Sequence, residues 1–97
     1  MSTAVDWDAL SLAGVMETCE LQAHKVASQY VGVIEFGDLL QEAYIAVATH
    51  AGTVRSYIAN EEHGFLAHWV WSRLQDVARK EANYRNRVVP IDLLVEP

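Results

Sequence analysis

Apolar side chains recur every three or four residues in the first third of the chain, the spacing of one face of an α-helix. The repeat predicts a helix from about Leu10 to Val31, ended by Gly32. Its inward stripe comprises Met16, Cys19, Ala23, Val26, Ala27 and Tyr30. Because Cys19 lies in this stripe and is the single cysteine, we expect a buried thiol rather than half of a disulfide.

A second helix is predicted from Asp38 onward. Its carboxylate is a candidate N-cap, since it can accept hydrogen bonds from the free amides of the first turn. The expected inward stripe is Leu39, Leu40, Ala43 and Val47. Gln41, Glu42 and Ile45 are left on the flanks and outer face, with Asp38 at the tip, and Gly52 is expected to end the segment.

The segment TVRSYIANEEHG is ambiguous: Val54, Tyr57 and Ile58 could form a short helix, while residues Asn60 to Gly64 indicate a turn. The last helix is predicted from about Phe65 to Tyr84. Its core face comprises Ala67, Val70, Trp71, Leu74, Val77 and Ala78, and another face carries Phe65, Trp69, Arg73, Asp76 and Lys80. Trp69 and Trp71 lie roughly 200° apart around the axis, so they cannot face one core. Either Trp69 borders solvent beside an arginine, or it packs under the ambiguous segment.

These patterns predict an all-α domain of three or four helices. A chain of 97 residues with 52% hydrophobic content fits one domain. We expect a flexible leader over residues 1–9, a helical domain over 10–87 and an extended tail over 88–97, where Pro90 disfavours regular structure. The acidic N-terminal sequence does not match a signal peptide, and no apolar run reaches the roughly 20 residues that span a bilayer.

Charge is distributed unevenly along the chain. The net charge is −6, but residues 73–87 carry five bases and two acids, for a local charge of +3. The remaining two bases and eleven acids give −9. This basic stretch fits a helix that faces nucleic acid, and it equally fits a solvated face that only maintains solubility.

Catalytic motifs are not found in the sequence. It contains no glycine-rich phosphate loop, no GxSxG and no HExxH, and its four histidines are not spaced as metal ligands beside carboxylates. Cys19 and His24 lie about 140° apart on one helix, a poor geometry for a nucleophile and its base. We therefore expect neither an enzyme nor a cofactor.

Three blocks of the sequence, in order, resemble the second conserved region of bacterial sigma factors. They are DLLQEAYIAV after HKVASQYVGVIEF, then GFLAHWVWSRLQDVARKEANYRNR, then RVVPIDLLVEP, which is similar to the linker that follows that region. Together they cover Leu21 to Glu96. The resemblance implies a sigma-region-2-like helical domain.

The resemblance also implies two sets of binding residues. Docking on the clamp coiled-coil of the beta-prime subunit of the RNA polymerase core would fall to Asp38, Leu40, Gln41, Glu42 and Ile45. Contacts to promoter DNA would fall to Trp69, Arg73, Arg79, Lys80 and Asn83, with Phe65 in the core. The chain departs from the family where Trp-Val-Trp replaces an adjacent Trp pair and where the melting loop carries Glu61 and Glu62. Strand separation by this domain alone is therefore not expected.

The implied function is transcription initiation in the cytoplasm of a bacterium or a phage-infected bacterium, with an anti-sigma protein as a further partner and no membrane. The chain fits either a fragment of a longer sigma factor or a stand-alone sigma-like protein. A stand-alone protein could instead occupy the polymerase and inhibit or redirect transcription. A helical structural protein without a polymerase link is the third interpretation. The polymerase interpretation requires Gln41 and Glu42 to point outward.

Overall fold

The computed structural model of the protein describes the backbone of residues 5–95 and the side chains of residues 5–85. A short 3-10 helix, Trp7–Ser11, precedes four α-helices. These are α1 (Val15–Gln29), α2 (Phe36–Thr49), α3 (Ala51–Ala59) and α4 (His63–Val95). The described residues contain no strand, so the prediction of an all-α fold with three or four helices is confirmed.

The core forms where α1, α2 and α4 meet. Cys19, Ala23 and Val26 of α1 and Leu39, Ala43 and Val47 of α2 are fully buried. The alanines leave room for close approach of the helices. Burial raises the pKa of the Cys19 thiol to about 12, with a smaller contribution from the charge of Glu20. The prediction of a buried thiol is therefore confirmed, and burial keeps the thiol neutral.

Helix α4 spans the domain and covers this core. Its inward stripe is Leu66, Val70, Leu74 and Ala78, each four residues from the next and at most 2% exposed. Other residues of the predicted core face, Ala67, Trp71 and Val77, are partly buried along its edges. Gln75 is a buried polar residue of this helix, and its amide bonds to Gln29 and Tyr30 at the end of α1.

The ambiguous third segment forms the short helix, followed by a turn over residues 60–62 that is shorter than expected because α4 begins at His63. Helix α3 runs from Ala51 to Ala59 and buries Val54 in the core. Gly52, which was expected to end the second helix, lies inside α3. The break comes earlier, at His50, whose φ of −120° and ψ of 41° are not helical. Burial of Val54 in the core thus stabilises the short helix that local propensity left open.

The first α-helix is shorter than predicted. Its N-terminus is Val15 rather than Leu10, and Gly14 precedes it with a left-handed φ of 80°. Val15 is buried, whereas Met16, which was expected to face inward, is 42% exposed. At the other end, Gly32 takes a φ of 83° in the turn after α1, a conformation that glycine adopts without strain.

The structure differs from the expected flexible leader. Residues 1–4 lie outside the described residues, but Ala9 is fully buried and the Asp6 amide donates to the Ala48 carbonyl at 2.9 Å. Asp6 also pairs with Arg55 of α3 at 2.7 Å. Residues 5–9 are therefore part of the folded domain.

The structure also differs at the predicted extended tail. The backbone of α4 remains helical through Val95, while residues 96 and 97 lie outside the described residues. Once a helix exists, each further residue adds a hydrogen bond without a new nucleation step. Pro90 removes one backbone donor, but the helical backbone continues past it. None of the described helices is both long enough and apolar enough to cross a membrane.

Candidate functional site

The outward residues of α2 form a row of exposed side chains. Asp38, Gln41 and Glu42 are exposed, and Ile45 is 38% exposed. Their three- and four-residue spacing places them on one face, which we call the docking row. Leu40, which the resemblance assigned to the same set, is partly buried against the core instead. The outward orientation expected of Gln41 and Glu42 is thus observed, and a role in binding stays a prediction.

Asp38 is not the N-cap of α2. The helix begins at Phe36, and Glu35 is the capping residue, with a φ of −96° and no side-chain capping bond. Asp38 lies in the first turn, where its charge still favours the positive end of the helix dipole. The earlier start has a tertiary cause. The Phe36 ring stacks on His24 of α1 with centroids 4.0 Å apart, and this contact holds the first turn.

Helix α2 runs antiparallel to α4, and a groove lies between them on the side of the docking row. At one end an Arg73 guanidinium nitrogen is 3.3 Å from His50 Nε2, and at the other Arg85 donates to the Gly32 carbonyl at 3.1 Å. Two cavities of about 270 and 350 Å³ lie along the groove, and Glu42 and Val77 line both. We call this continuous surface the α2–α4 groove.

The floor of the α2–α4 groove is apolar and its rim carries both charge signs. Ile34, Ala46 and Val77, each partly buried, are among the floor residues. The acids of the rim are Asp38, Glu42, Asp76 and Glu81, and the bases are Arg73, Lys80 and Arg85. Four acids against three bases give −1. The groove is therefore not the basic surface that binds a phosphate backbone by charge alone.

Some of these rim charges are already paired with neighbours on α4. Arg79 contacts Asp76 at 3.0 Å, and Arg85 contacts Glu81 at 3.1 Å. Within the described residues, Asp38, Glu42 and Lys80 form no ion pair. The acids without an ion pair lie on α2. The bases without an ion pair in this part of the chain, Lys80 and Arg73, lie on α4, and Arg73 instead donates to His50.

Trp69 contacts its own chain. Its partly buried indole meets the His50 ring edge-on at 5.7 Å, and the Arg73 guanidinium lies 5.0 Å from its centroid. Because an arginine can only donate, His50 Nε2 accepts from it, and Nδ1 donates to the Ala46 carbonyl at 3.2 Å. The indole therefore packs at the α2–α3 junction with the Arg73 guanidinium over its ring.

The other predicted DNA-contacting residues separate into two groups. Arg73 and Lys80 line the α2–α4 groove together with Glu42 and Ile45. Arg79 and Asn83 are exposed but do not line the groove. The residues predicted from the resemblance to bind polymerase and DNA thus partly share one surface.

Phe65 was expected in the core, but it is 64% exposed. Its ring lies 6.5 Å from the Tyr57 ring of α3, and it borders a cavity of about 530 Å³ with Glu61, His63 and His68. The stripe that starts at Leu66 already fills the inward face of α4. The one-residue offset of Phe65, about 100°, places its ring outside the core.

Sequence reasoning missed the contribution of His50, Asp76 and Glu81 to the groove. The sequence showed which residues of α4 face outward. It did not show which face of α2 lies beside them, because that depends on the antiparallel packing of the two helices. Within the described residues, no group of three or more His, Cys, Asp or Glu side chains is placed to hold a metal ion. Comparisons with family models, curated proteins and solved structures find no match to this chain.

Proposed function

We propose that this chain is a sigma-factor-like module that binds the RNA polymerase core and acts in transcription initiation. The observation that carries the proposal is the docking row, whose acids and amide are exposed on one face of α2. The backbone of a packed helix is already ordered before binding, and acids on its surface suit a partner rich in arginine. The resemblance of three ordered blocks to sigma factors supplies the partner, the clamp coiled-coil, and the cytoplasm as the compartment.

Contact with promoter DNA falls, on this proposal, to the exposed residues of α4 outside the groove. Arg79 and Asn83 are available there for phosphate contacts, although Arg79 would exchange its pairing with Asp76 for a phosphate. The engaged Trp69 indole argues against base stacking at that position.

Charge reversal of the docking row tests the proposal. The double variant Asp38→Lys, Glu42→Lys is expected to lose co-purification with bacterial core RNA polymerase, because like charges would face the partner's arginines. Glu17→Lys, Glu20→Lys is the matched control, since both glutamates are exposed on α1 outside the groove and the charge changes by the same amount. Circular dichroism verifies that both variants fold. Wild-type retention by the docking-row variant would reject the assignment.

A second candidate function is inhibition or redirection of host transcription by a chain that occupies the same polymerase surface. The engagement of Trp69, Arg73 and Arg79 with their own chain favours it, because these residues were the predicted DNA contacts. Run-off transcription separates the two functions. A sigma-like module adds promoter-dependent product to the core enzyme, whereas an occupying protein removes the product made with the resident sigma factor.

A further inference from the structure

Residues from both predicted binding sets line the α2–α4 groove, around one apolar floor. From Arg73 to Arg85 the groove follows roughly 18 Å of α4, at about 1.5 Å per residue. That length matches about three turns of a partner helix. An apolar floor with a charged rim is the surface that an amphipathic helix recognises through residues spaced by three and four.

The rim charges without an ion pair determine which charges the partner helix must carry on each side. Asp38 and Glu42 lie on the α2 side of the groove and would attract basic side chains of a partner. Arg73 and Lys80 lie on the α4 side, where they line a cavity together with His50. They would attract acidic side chains of a partner. The two acids on the α4 side, Asp76 and Glu81, already form ion pairs with Arg79 and Arg85 respectively. A uniformly basic or uniformly acidic ligand would meet a like charge on one side.

We infer that the α2–α4 groove binds one amphipathic helix that carries both charge signs, with its bases toward Asp38 and Glu42 and its acids toward Lys80 and Arg73. Lys80 is then a protein-contacting residue rather than a DNA-contacting one. This inference deepens the proposed function and rests on it for the identity of the partner.

The variant Lys80→Glu tests the inference, because Lys80 is exposed and forms no ion pair within the described residues. The control is Lys25→Glu, which has the same charge change at an exposed lysine of α1 that lies outside the groove and forms no ion pair within the described residues. Binding to bacterial core RNA polymerase and to a short DNA duplex is measured for each. Lys80→Glu is expected to weaken polymerase binding at least about tenfold, and Lys25→Glu less than about threefold.

Two outcomes overturn the inference while the proposed function stands. In the first, Lys80→Glu binds polymerase like the wild type although Asp38→Lys, Glu42→Lys does not. In the second, Lys80→Glu weakens only DNA binding, which assigns this side of the groove to nucleic acid.

If the wild-type chain does not bind polymerase, the proposed function fails and synthetic helices test the groove alone. Three peptides share one apolar stripe and differ in their charged residues. The first carries both signs, the second only lysines and the third only glutamates. NMR titration is expected to show the tightest binding for the mixed peptide, with shifts centred on Glu42 and Val77. Tighter binding of either single-sign peptide, or no preference, overturns the inference.

Discussion

Glu61 ends α3 with a backbone conformation that usually belongs to glycine. Its φ is 56°, and it is the one non-glycine residue with positive φ in the described part of the chain. The Glu61 amide donates to the Ile58 carbonyl at 3.1 Å, and the Glu62 amide donates to the Tyr57 carbonyl at 2.8 Å. This pair of bonds is the Schellman motif, which places a left-handed residue directly after the C-cap. In this left-handed conformation the Cβ atom of Glu61 lies unfavourably close to the following carbonyl oxygen, a contact that glycine would lack.

Glu61→Gly is therefore expected to stabilise the protein. Relief of the left-handed strain, partly offset by the greater unfolded-state entropy of glycine, raises the free energy of unfolding by roughly 1 kcal/mol. For a domain of this size, that corresponds to a rise in Tm of about 4–8 °C. Glu62→Gly is the control, because Glu62 does not have a positive φ and gains only the entropic penalty. Equal or lower stability of Glu61→Gly in urea titration would contradict the strain argument.

At the scale of elements, Gln75 links α4 to the end of α1. Its side chain is 9% exposed, its amide nitrogen donates to Gln29 Oε1, and the Tyr30 hydroxyl donates to its Oε1 at 3.4 Å. A buried amide requires such partners, since burial without a hydrogen bond is unfavourable. The polar link thus fixes the contact between two helices that otherwise meet through apolar side chains.

A double-mutant cycle measures this link. Gln75→Ala is expected to lower the free energy of unfolding by about 1–3 kcal/mol, through lost hydrogen bonds and a small cavity. Tyr30→Phe removes only the hydroxyl and should cost about 0.5–1.5 kcal/mol. Because the residues share one bond, their effects are expected to be less than additive by at least about 0.5 kcal/mol. Strict additivity in chemical denaturation would show that the 3.4 Å contact contributes no coupling.

The same scale shows what the sequence could predict and why. Helices α1, α2 and α4 were predictable because Cys19, Leu39 and Leu74 belong to long repeats that tertiary burial reinforces. The start of α2 was not, because the contact of Phe36 with His24 outweighs capping by Asp38. Helix ends depend on such contacts between elements, which the periodicity of one segment does not contain.

For the candidate site, exposure was predictable and grouping was not. Gln41 and Glu42 face outward as the periodicity predicted. The meeting of Lys80 with Glu42 in one groove depends on how α2 and α4 pack, and so does the contact of Trp69 with His50. Single-helix geometry therefore gives the face of a residue but not its neighbours on other helices.

At the scale of the whole molecule, the N-terminal segment closes the end of the domain. The Asp6 carboxylate accepts from the Asp8 amide at 3.1 Å and pairs with Arg55 of α3 at 2.7 Å. The Asp6 amide bonds to the last turn of α2 through Ala48. The Arg55 guanidinium holds the pKa of the Asp6 carboxyl below its ordinary value of 3.8, although partial desolvation opposes this. One residue thus connects the 3-10 helix to two α-helices.

The lowered pKa fixes the sign of a pH dependence. The folded state binds the Asp6 proton less tightly than the unfolded state, so the pair stabilises the protein above the unfolded pKa of 3.8 and loses that effect as pH falls through the folded value. Asp6→Asn keeps a side-chain acceptor for the Asp8 amide but removes the charge. We expect its urea midpoint to lie below that of the wild type at pH 6, with the difference shrinking below about pH 4. Because both side chains are largely exposed, high salt should also reduce the difference. A difference that stays constant from pH 6 to the acid limit would show that the charge of Asp6 does not cause it and would contradict the ion-pair argument.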